Sequence, residues 1–291
     1  MTETLTAQGA PATSPALEWF EAGVLGLVQG LTEFLPISSS AHLRVVGALL
    51  PSAADPGAAF TAITQIGTET AVLIYFRRDI FRISRAWLSS LIGPRAEKDA
   101  ADARLGWLVI LGTLPIAILG LLFKDAIETS LRNLYVTAAM LAGFALVLGL
   151  ADRFGARKLA LDQIGWGRGL ALGFAQALAL VPGVSRSGGT ISAGLILGLT
   201  REAAARYSFL LAVPAVLASG FYQLWRHFGQ FGPIGPWPTL FATLVAFVVG
   251  YAVIVGFLKL VSTRSYMPFV WYRLALGALL FVLLGAGALR P

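Results

Sequence analysis

The sequence predicts an all-α integral membrane protein with six transmembrane helices and two re-entrant helix-loop-helix hairpins, related by an inverted-topology repeat. The composition is typical of a membrane protein, because 57% of the 291 residues are hydrophobic and only 13% are charged. The mean hydropathy of +0.76 agrees with this class. Several apolar runs are long enough to cross a bilayer. Two further apolar segments are broken in the middle by polar residues, glycine and proline, and irregular backbone at membrane depth has to be buried in protein or line a polar cavity.

The composition also excludes several functional classes. The chain has no cysteine, so it forms no disulfides and uses no thiolate chemistry. Its two histidines, His42 and His227, lie too far apart in sequence to suggest a zinc motif. The net charge of +7 comes mostly from loops between apolar spans, where membrane topology explains it. We therefore expect no nucleic-acid partner.

A short amino-terminal tail precedes the membrane domain. Residues 1–16 are rich in Thr, Ala and Pro and lack the basic and apolar regions of a cleaved signal peptide. We expect a disordered tail at 1–16 and a single membrane domain over 17–291.

Apolar runs of about 18 to 20 residues, the length that a bilayer requires, predict six crossing helices. Pro115 and Pro214 can kink the helices that contain them. The predicted spans are Ala58–Phe76, Leu105–Phe123, Leu134–Ala151, Tyr207–Trp225, Thr239–Leu258 and Trp271–Leu289.

Residues 17–50 and 169–199 form the two broken apolar segments. Their limbs of about 11 to 17 residues reach only about 16 to 25 Å, short of the roughly 30 Å hydrocarbon core. Each segment is therefore predicted to be a re-entrant hairpin. Irregular backbone at membrane depth must be buried in protein or line a polar cavity. We expect the two broken tips to share one such cavity.

An internal repeat with a constant offset of 147 residues relates about residues 17–151 to about 165–291. Each half would contain one hairpin, which returns to the side from which it enters, and three crossings. Because three is an odd number, the second half begins on the opposite side of the membrane and is inverted relative to the first. Such repeats place their binding site near the membrane midplane, between the copies. The pairs that share the offset are Gly26/Gly173, Gln29/Gln176, Leu31/Leu178, Ser38/Ser185, Ser40/Ser187, Gly47/Gly194, Ala71/Ala218 and Tyr75/Tyr222.

Lys and Arg are distributed unequally between the two faces of this topology. The positive-inside rule makes the richer face cytoplasmic, so both termini and the mouth of the first hairpin are expected in the periplasm. The residues assigned to the cytoplasmic face, or near it, are Arg77, Arg78, Arg82, Arg85, Arg95, Lys98, Arg104, Arg153, Arg157, Lys158, Arg168, Arg201, Arg206, Lys259, Arg264 and Arg273. The opposite face has Lys124, Arg132, Arg226 and Arg290.

The first hairpin carries the candidate acid/base groups. Gln29 and Glu33 are one helical turn apart and would face the same cavity. Pro36 is expected to end the first limb, and the serines at 38–40 suit the N-cap of the second limb, whose free N–H groups would face an anion. His42 would lie within the first turn of that limb.

The second hairpin carries Arg186 between Ser185 and Ser187, followed by glycines and Thr190. Charge at membrane depth usually marks a binding or transport site, and glycine allows backbone N–H groups to approach an anion. Taken singly, the serines could cap or pack helices, and the arginine could bind carbonyl groups or Glu33. Together, the two segments supply the groups needed for nucleophilic substitution at phosphorus.

These residues resemble the two signature motifs of the undecaprenyl-diphosphate phosphatases, the bacitracin-resistance protein family. The matched stretches run from Gly26 to His42 and from Pro182 to Thr190, and residues 209–214 agree as well. In that family, an inner-membrane enzyme removes the terminal phosphate of undecaprenyl diphosphate and so regenerates the lipid carrier for peptidoglycan and other envelope polymers.

The resemblance implies roles for the matched positions. Gln29 and Glu33 correspond to an acidic motif in which Glu or Gln comes first and Glu second. Ser39 and His42 match the proposed catalytic serine and histidine, and Arg186 matches the phosphate-binding arginine. The remaining matched polar residues are expected to bind substrate, and they are Ser38, Ser40, Ser185, Ser187 and Thr190.

This chain has Gln29 where many relatives have Glu, so Glu33 is expected to carry the acid/base or metal-linked work alone. Mg²⁺ or Ca²⁺ could shield the diphosphate, with Glu33 as a candidate ligand, and no organic cofactor is expected. The expected partners are a polyprenyl diphosphate lipid and membrane lipids. Association with a second copy of the chain stays open.

Several alternatives stay open at the level of the sequence. The nucleophile is either Ser39 or His42, and either Glu33 or His42 could activate the serine. A secondary transporter or lipid flippase would share the inverted repeat and the midplane site. Type 2 phosphatidic acid phosphatases also use serine, arginine and histidine, but their Pro-Ser-Gly-His tripeptide and the His after Ser-Arg are absent here.

Overall fold

A computed structural model describes residues 14–52, 55–93, 99–228 and 234–290, and within these ranges the regular structure is helical. The prediction of an all-α protein is confirmed. The helices are α1 (Pro15–Thr32), α2 (Ser39–Leu49), α3 (Gly57–Tyr75), α4 (Arg77–Ile92), α5 (Ala100–Leu122), α6 (Lys124–Glu128), α7 (Leu134–Phe154), α8 (Trp166–Ala177), α9 (Arg186–Ile196), α10 (Arg201–Arg226), α11 (Pro236–Thr263) and α12 (Met267–Gly285).

Every predicted span overlaps a helix, namely α3, α5, α7, α10, α11 and α12, although several of the predicted ends lie a few residues away from the ends of the helices. Among the described residues, five helices are long and apolar enough to cross a membrane, and α3 is not one of them. The polar residues of α3, which include Gln65 and Glu69, lower its hydropathy. Many large apolar side chains on the long helices are exposed, as lipid contact requires. The chain is thus a multi-pass membrane protein.

The first broken segment is the pair α1 and α2. Helix α1 begins at Pro15, and the Ser14 hydroxyl accepts a hydrogen bond from the Leu17 N–H. The helix therefore includes the last two residues of the predicted tail, while residues 1–13 lie outside the described ranges. Helix α1 ends at Thr32, and a non-helical connection leads to α2 at Ser39.

The second broken segment is the pair α8 and α9, joined through a tight turn at 178–180 and an irregular stretch. Ser38 precedes α2 with φ 72°, and Ser185 precedes α9 with φ 69°. Both residues lie in the left-handed region, which is unusual for residues other than glycine. The two tips therefore turn the chain into a helix in the same way, at positions 147 residues apart.

Close helix packing holds the two broken segments in place. Helices α1 and α3 both pack against α11, and α8 packs against α5. At the α5 and α8 crossing, Gly112 faces Gly173 so closely that a Cβ atom would meet backbone. Helices α3 and α10 also pack together. The main core cluster runs through α3, α5, α8, α10 and α11, with Phe34 from the first tip packed edge-on against Phe209 of α10. Helix α1 meets α11 in a separate, smaller cluster.

Candidate functional site

The two tips are in direct contact, as the sequence predicts. The Arg186 Nη2 atom of the second tip lies 2.6 Å from the Glu33 Oε1 atom of the first. A second bond links the tips, because the Ser187 hydroxyl donates to the Leu35 carbonyl oxygen at 3.0 Å. Each tip thus supplies the other with a partner for a polar group that neither could satisfy alone in an apolar setting.

The Glu33 carboxylate organises the site. It follows the last residue of α1 and is only 6% exposed. Its Oε2 atom accepts hydrogen bonds from the Ser39 hydroxyl at 2.6 Å and from the Gln29 amide nitrogen at 2.7 Å. The Gln65 amide nitrogen lies 3.4 Å from the same oxygen. A serine hydroxyl that donates to a buried carboxylate is arranged to lose its proton to that carboxylate.

Arg186, the first residue of α9, supplies the positive charge of the site. Its Nη2 atom bonds both Glu33 and the Oε1 atom of Glu69, the latter at 2.8 Å. Its Nη1 atom is buried and has no hydrogen-bond partner among the described residues. A buried, unpaired guanidinium nitrogen is a ready donor for an anionic oxygen such as that of a phosphate.

His42 lies beside the first tip but does not bond Ser39 or Glu33 in the described contacts. Its Nδ1 atom lies 2.7 Å from the Ser38 carbonyl oxygen, which can only accept, so Nδ1 carries the proton. Its Nε2 atom lies 2.6 Å from the Tyr272 hydroxyl, and the two rings are stacked. The imidazole therefore holds the backbone next to Ser39, and the carboxylate of Glu33 is the group that contacts the hydroxyl.

The other predicted substrate-binding hydroxyls lie at the two helix starts and largely bond each other. Ser38 and Ser40 are 3.2 Å apart, and their equivalents Ser185 and Ser187 are 3.1 Å apart. Ser185 also accepts from the Gly188 N–H, as an N-cap does. Thr190 donates to the Arg186 carbonyl oxygen within α9 and is buried. Of these hydroxyls, that of Ser40 is the least buried.

Three further residues of this site do not stand out in the sequence motifs. Gln65 and Glu69 come from α3, which the sequence predicts only as a crossing helix, and Glu69 is fully buried. A carboxylate in the middle of an apolar run was the available signal. Tyr272 gave no such signal, because tyrosine is common near membrane surfaces.

Arg273 corrects the topology count. The sequence places Arg273 on or near the cytoplasmic face, yet it is fully buried beside both tips. Its guanidinium donates to the carbonyl oxygens of Pro36 at 3.0 Å, Gly183 at 2.9 Å and Val184 at 3.1 Å, and to two carbonyls of α7. These carbonyls satisfy the buried cation, which is why it need not reach the surface. Arg95 and Lys98 of the same count lie outside the described residues.

No group of three or more His, Cys, Asp or Glu side chains suited to a metal ion occurs in the described part of the chain. The site does contain oxygen donors of the kind that Mg²⁺ and Ca²⁺ prefer. They are the Glu33 carboxylate and the buried Gln29 Oε1 atom, which accepts no hydrogen bond from the described residues.

These observations define a class: a helical, multi-pass membrane protein with a buried carboxylate beside a partly buried serine and arginine, where two interrupted helices meet. The family described as "Bacitracin resistance protein BacA" matches residues 22–279. The chain belongs to this family, and the resemblance noted from the two motifs is confirmed.

Curated relatives match nearly the whole chain. It is 67% identical over 274 residues to "Undecaprenyl-diphosphatase 2" of Agrobacterium fabrum, which covers 94% of this chain and 98% of that protein. It is 62% identical over 272 residues to "Undecaprenyl-diphosphatase" of Paenarthrobacter aurescens, with coverage of 92% and 98%. The protein of the same name from Micrococcus luteus is 60% identical over 276 residues, with coverage of 94% and 99%.

Proposed function

We propose that this protein is an integral membrane phosphatase that hydrolyses undecaprenyl diphosphate to undecaprenyl phosphate and inorganic phosphate. The reaction recycles the lipid carrier for cell-wall synthesis. The family membership and the names of the relatives support this activity. The observation that carries the mechanism is the contact of Ser39 with Glu33 at 2.6 Å, beside an arginine that bridges the two tips.

In the first step, the Ser39 oxygen attacks the terminal phosphorus while Glu33 takes the hydroxyl proton. The bond between the phosphorus and the bridging oxygen breaks, and undecaprenyl phosphate leaves with the electron pair of that bond. Arg186 binds the phosphoryl oxygens, where its planar group can contact two at once. It stabilises the negative charge that develops on them.

In the second step, water gives a proton to Glu33 and attacks the phosphoserine. The bond between the phosphorus and the Ser39 oxygen breaks, inorganic phosphate leaves, and Glu33 passes the proton from water to the Ser39 oxygen. Glu33 serves as the base for the water once its own proton has passed to the departing monophosphate. His42 supports the nucleophile by holding the Ser38 carbonyl oxygen. The hydroxyls of Ser40, Ser185 and Ser187 complete the polar lining around the phosphate, with Gln29 orienting Glu33.

A divalent cation is an additional proposal. Mg²⁺ or Ca²⁺, when bound, would shield the charge of the diphosphate, and Glu33 and Gln29 would hold it. No step above is assigned to the ion.

The finer topology is also proposed: six crossings, two re-entrant hairpins and an inverted repeat of 17–151 and 165–291. Shifting α2 by the offset of 147 residues gives the bounds of α9. The same shift carries α3 onto residues 204–222 of α10, and α3 and α10 pack together. Ser38 and Ser185 share an unusual backbone conformation. We place the protein in the bacterial inner membrane with both termini in the periplasm, from the Lys and Arg distribution.

A phosphate-release assay on the purified protein with undecaprenyl diphosphate tests the function. Release by the wild type is expected, with a loss of about 100-fold or more in Ser39→Ala, Glu33→Gln and Arg186→Gln, since each removes a group that acts in the transition state. Glu21→Gln is the matched control, because Glu21 is buried on α1 but bonds the Ser52 N–H instead of the site.

Two outcomes would contradict the proposal. Binding or translocation of the lipid without phosphate release would favour a transporter or flippase. A phosphoryl adduct that persists in folded Ser39→Ala protein would remove the serine from its role and favour His42 as the nucleophile.

A further inference from the structure

Glu69 is a buried carboxylate that the proposed mechanism does not use. It lies on α3, is fully buried, and bonds Arg186 Nη2 through Oε1 at 2.8 Å. Its Oε2 atom has no hydrogen-bond partner among the described residues. A buried carboxylate is costly to keep, so its presence beside the central cation calls for a function.

Glu69 adds a second carboxylate next to Arg186. Glu33 and Glu69 share one nitrogen of Arg186, at 2.6 Å and 2.8 Å. Gln29, one helical turn before Glu33, contributes an amide and therefore no charge. The second negative charge of the site thus comes from α3 and not from the first hairpin.

The reaction itself creates a need for that charge. When Glu33 takes the proton of Ser39, it becomes neutral and no longer balances Arg186. Glu69 has no contact with Ser39 in the described structure, and Arg186 is its hydrogen-bond partner. The serine proton therefore passes to Glu33 and not to Glu69, which keeps its contact with Arg186.

We propose, on the basis of the phosphatase function above, that Glu69 is a positioning residue: the lasting counter-ion that holds Arg186 while Glu33 acts as the base. The unpaired atoms fit this role. Arg186 Nη1 and Glu69 Oε2 are both buried and without partners in the described part of the chain. Once Glu33 is neutral, the guanidinium can turn to a two-bond pair with Glu69. A guanidinium has five N–H groups, so three would be left for the phosphate.

The test compares wild type and Glu69→Gln in the phosphate-release assay, with kcat and KM for undecaprenyl diphosphate measured separately. Glutamine keeps the size of glutamate and one acceptor oxygen for Arg186, removes the charge, and puts an amide nitrogen in place of the oxygen that has no partner among the described residues. We expect kcat to fall by about 10- to 100-fold, the size of a strong coupling between buried neighbours. KM is expected to stay unchanged or to fall, because the site loses a negative charge that repels the anionic substrate.

A purely structural role gives a different result. If Glu69 only accepts a hydrogen bond, glutamine replaces it and kcat stays within about threefold of wild type. If the substitution only displaces Arg186, the protein binds the phosphate of the substrate less tightly, and KM rises along with any fall in kcat. Either result overturns the counter-ion role. Glu21→Gln is the matched control and is expected to leave both constants near wild type.

Folding is checked by thermal unfolding of each variant. If Glu69→Gln does not fold, Glu69→Asp, which keeps the charge, has to fold and to retain more than about a tenth of the wild-type kcat. Failure of Glu69→Asp to do so overturns the inference. A wild type that releases no phosphate contradicts the proposed function itself, whereas wild-type release with an unchanged Glu69→Gln contradicts this inference alone.

Discussion

At the residue scale, the site depends on single polar groups that satisfy one another where the two tips meet. Glu33 accepts hydrogen bonds from the Ser39 hydroxyl, the Gln29 amide and the Arg186 guanidinium group. Arg273 satisfies buried backbone groups in the same way, because its guanidinium donates hydrogen bonds to carbonyl oxygens of both tips and of α7. Irregular backbone at membrane depth needs such donors, since lipid offers none.

Replacing Arg273 by methionine should therefore destabilise the protein. The carbonyls of Pro36 and Gly183 would lose their donor, at a cost of about 1 to 3 kcal/mol for each buried group left unsatisfied. We expect a clear fall in melting temperature and in phosphate release. Arg264→Met, at an exposed position after α11, is the control and should change neither. An Arg273→Met protein as stable as wild type would contradict this account of the tips.

At the scale of elements, the tips depend on backbone conformations that few residues adopt. Ser38 and Ser185 take positive φ immediately before α2 and α9. Gly183 in the second tip has φ 95°, and a Cβ atom there would clash with the Thr137 carbonyl oxygen of α7. Both conditions favour glycine at this position.

Gly183→Ala should lower the free energy of unfolding by about 1 to 3 kcal/mol, the usual cost of a strained backbone position. Phosphate release should fall as well, because Arg186 follows three residues later. Gly256→Ala, inside α11 with open space around the added methyl group, is the control and should be neutral or stabilising. Thermal unfolding in one detergent compares the pair, and equal stability of the two variants would refute the steric argument.

A second element-level contact joins the loop before α3 to the loop before α7. Arg132 bonds Asp55 with two nitrogens, at 2.6 Å and 2.9 Å, and Arg44 of α2 lies 3.6 Å from the same carboxylate. Partial burial alone would raise the pKa of Asp55, but Arg132, the Gly57 N–H and Arg44 outweigh it and hold the pKa below its usual value.

Because the pKa of Asp55 is lowered by folding, its stabilising contribution is complete above the unfolded value of about 4 and is lost as pH falls through the lower folded value. Asp55→Asn should melt below wild type by a constant difference between pH 7 and pH 5. The difference should shrink below about pH 4. Melting temperatures of both proteins at these pH values test this prediction. A difference in melting temperature that widens in acid would contradict it. High salt should reduce the gap, since the carboxylate is partly exposed.

At the scale of the whole molecule, the topology makes a prediction about access from each side of the membrane. The chain has no cysteine, so single-cysteine variants can be labelled without background. Ser130→Cys, in the exposed turn after α6, should react with a membrane-impermeant maleimide in cells with a permeable outer membrane. Ser262→Cys, at the exposed end of α11, should react only after the inner membrane is opened. The reverse pattern would invert the proposed orientation.

The sequence by itself determined the fold class, the places of the long helices and the principal groups of the site. Hydrophobic run length and broken segments are local properties, so they can be seen without coordinates. Glu33, Ser39 and Arg186 stood out because charges and clustered hydroxyls are rare in apolar segments.

Only the tertiary structure decided which partners these groups take. Ser39 bonds Glu33 and His42 bonds Tyr272, although spacing alone allowed either as the partner of the serine. Glu69 and Arg273 lie in helices that look like ordinary spans. Helix α3 packs against α1 and α12 packs against α7, and from there the two side chains reach the tips. Contacts between residues more than a hundred positions apart depend on how helices cross, and periodicity along one helix does not encode that geometry.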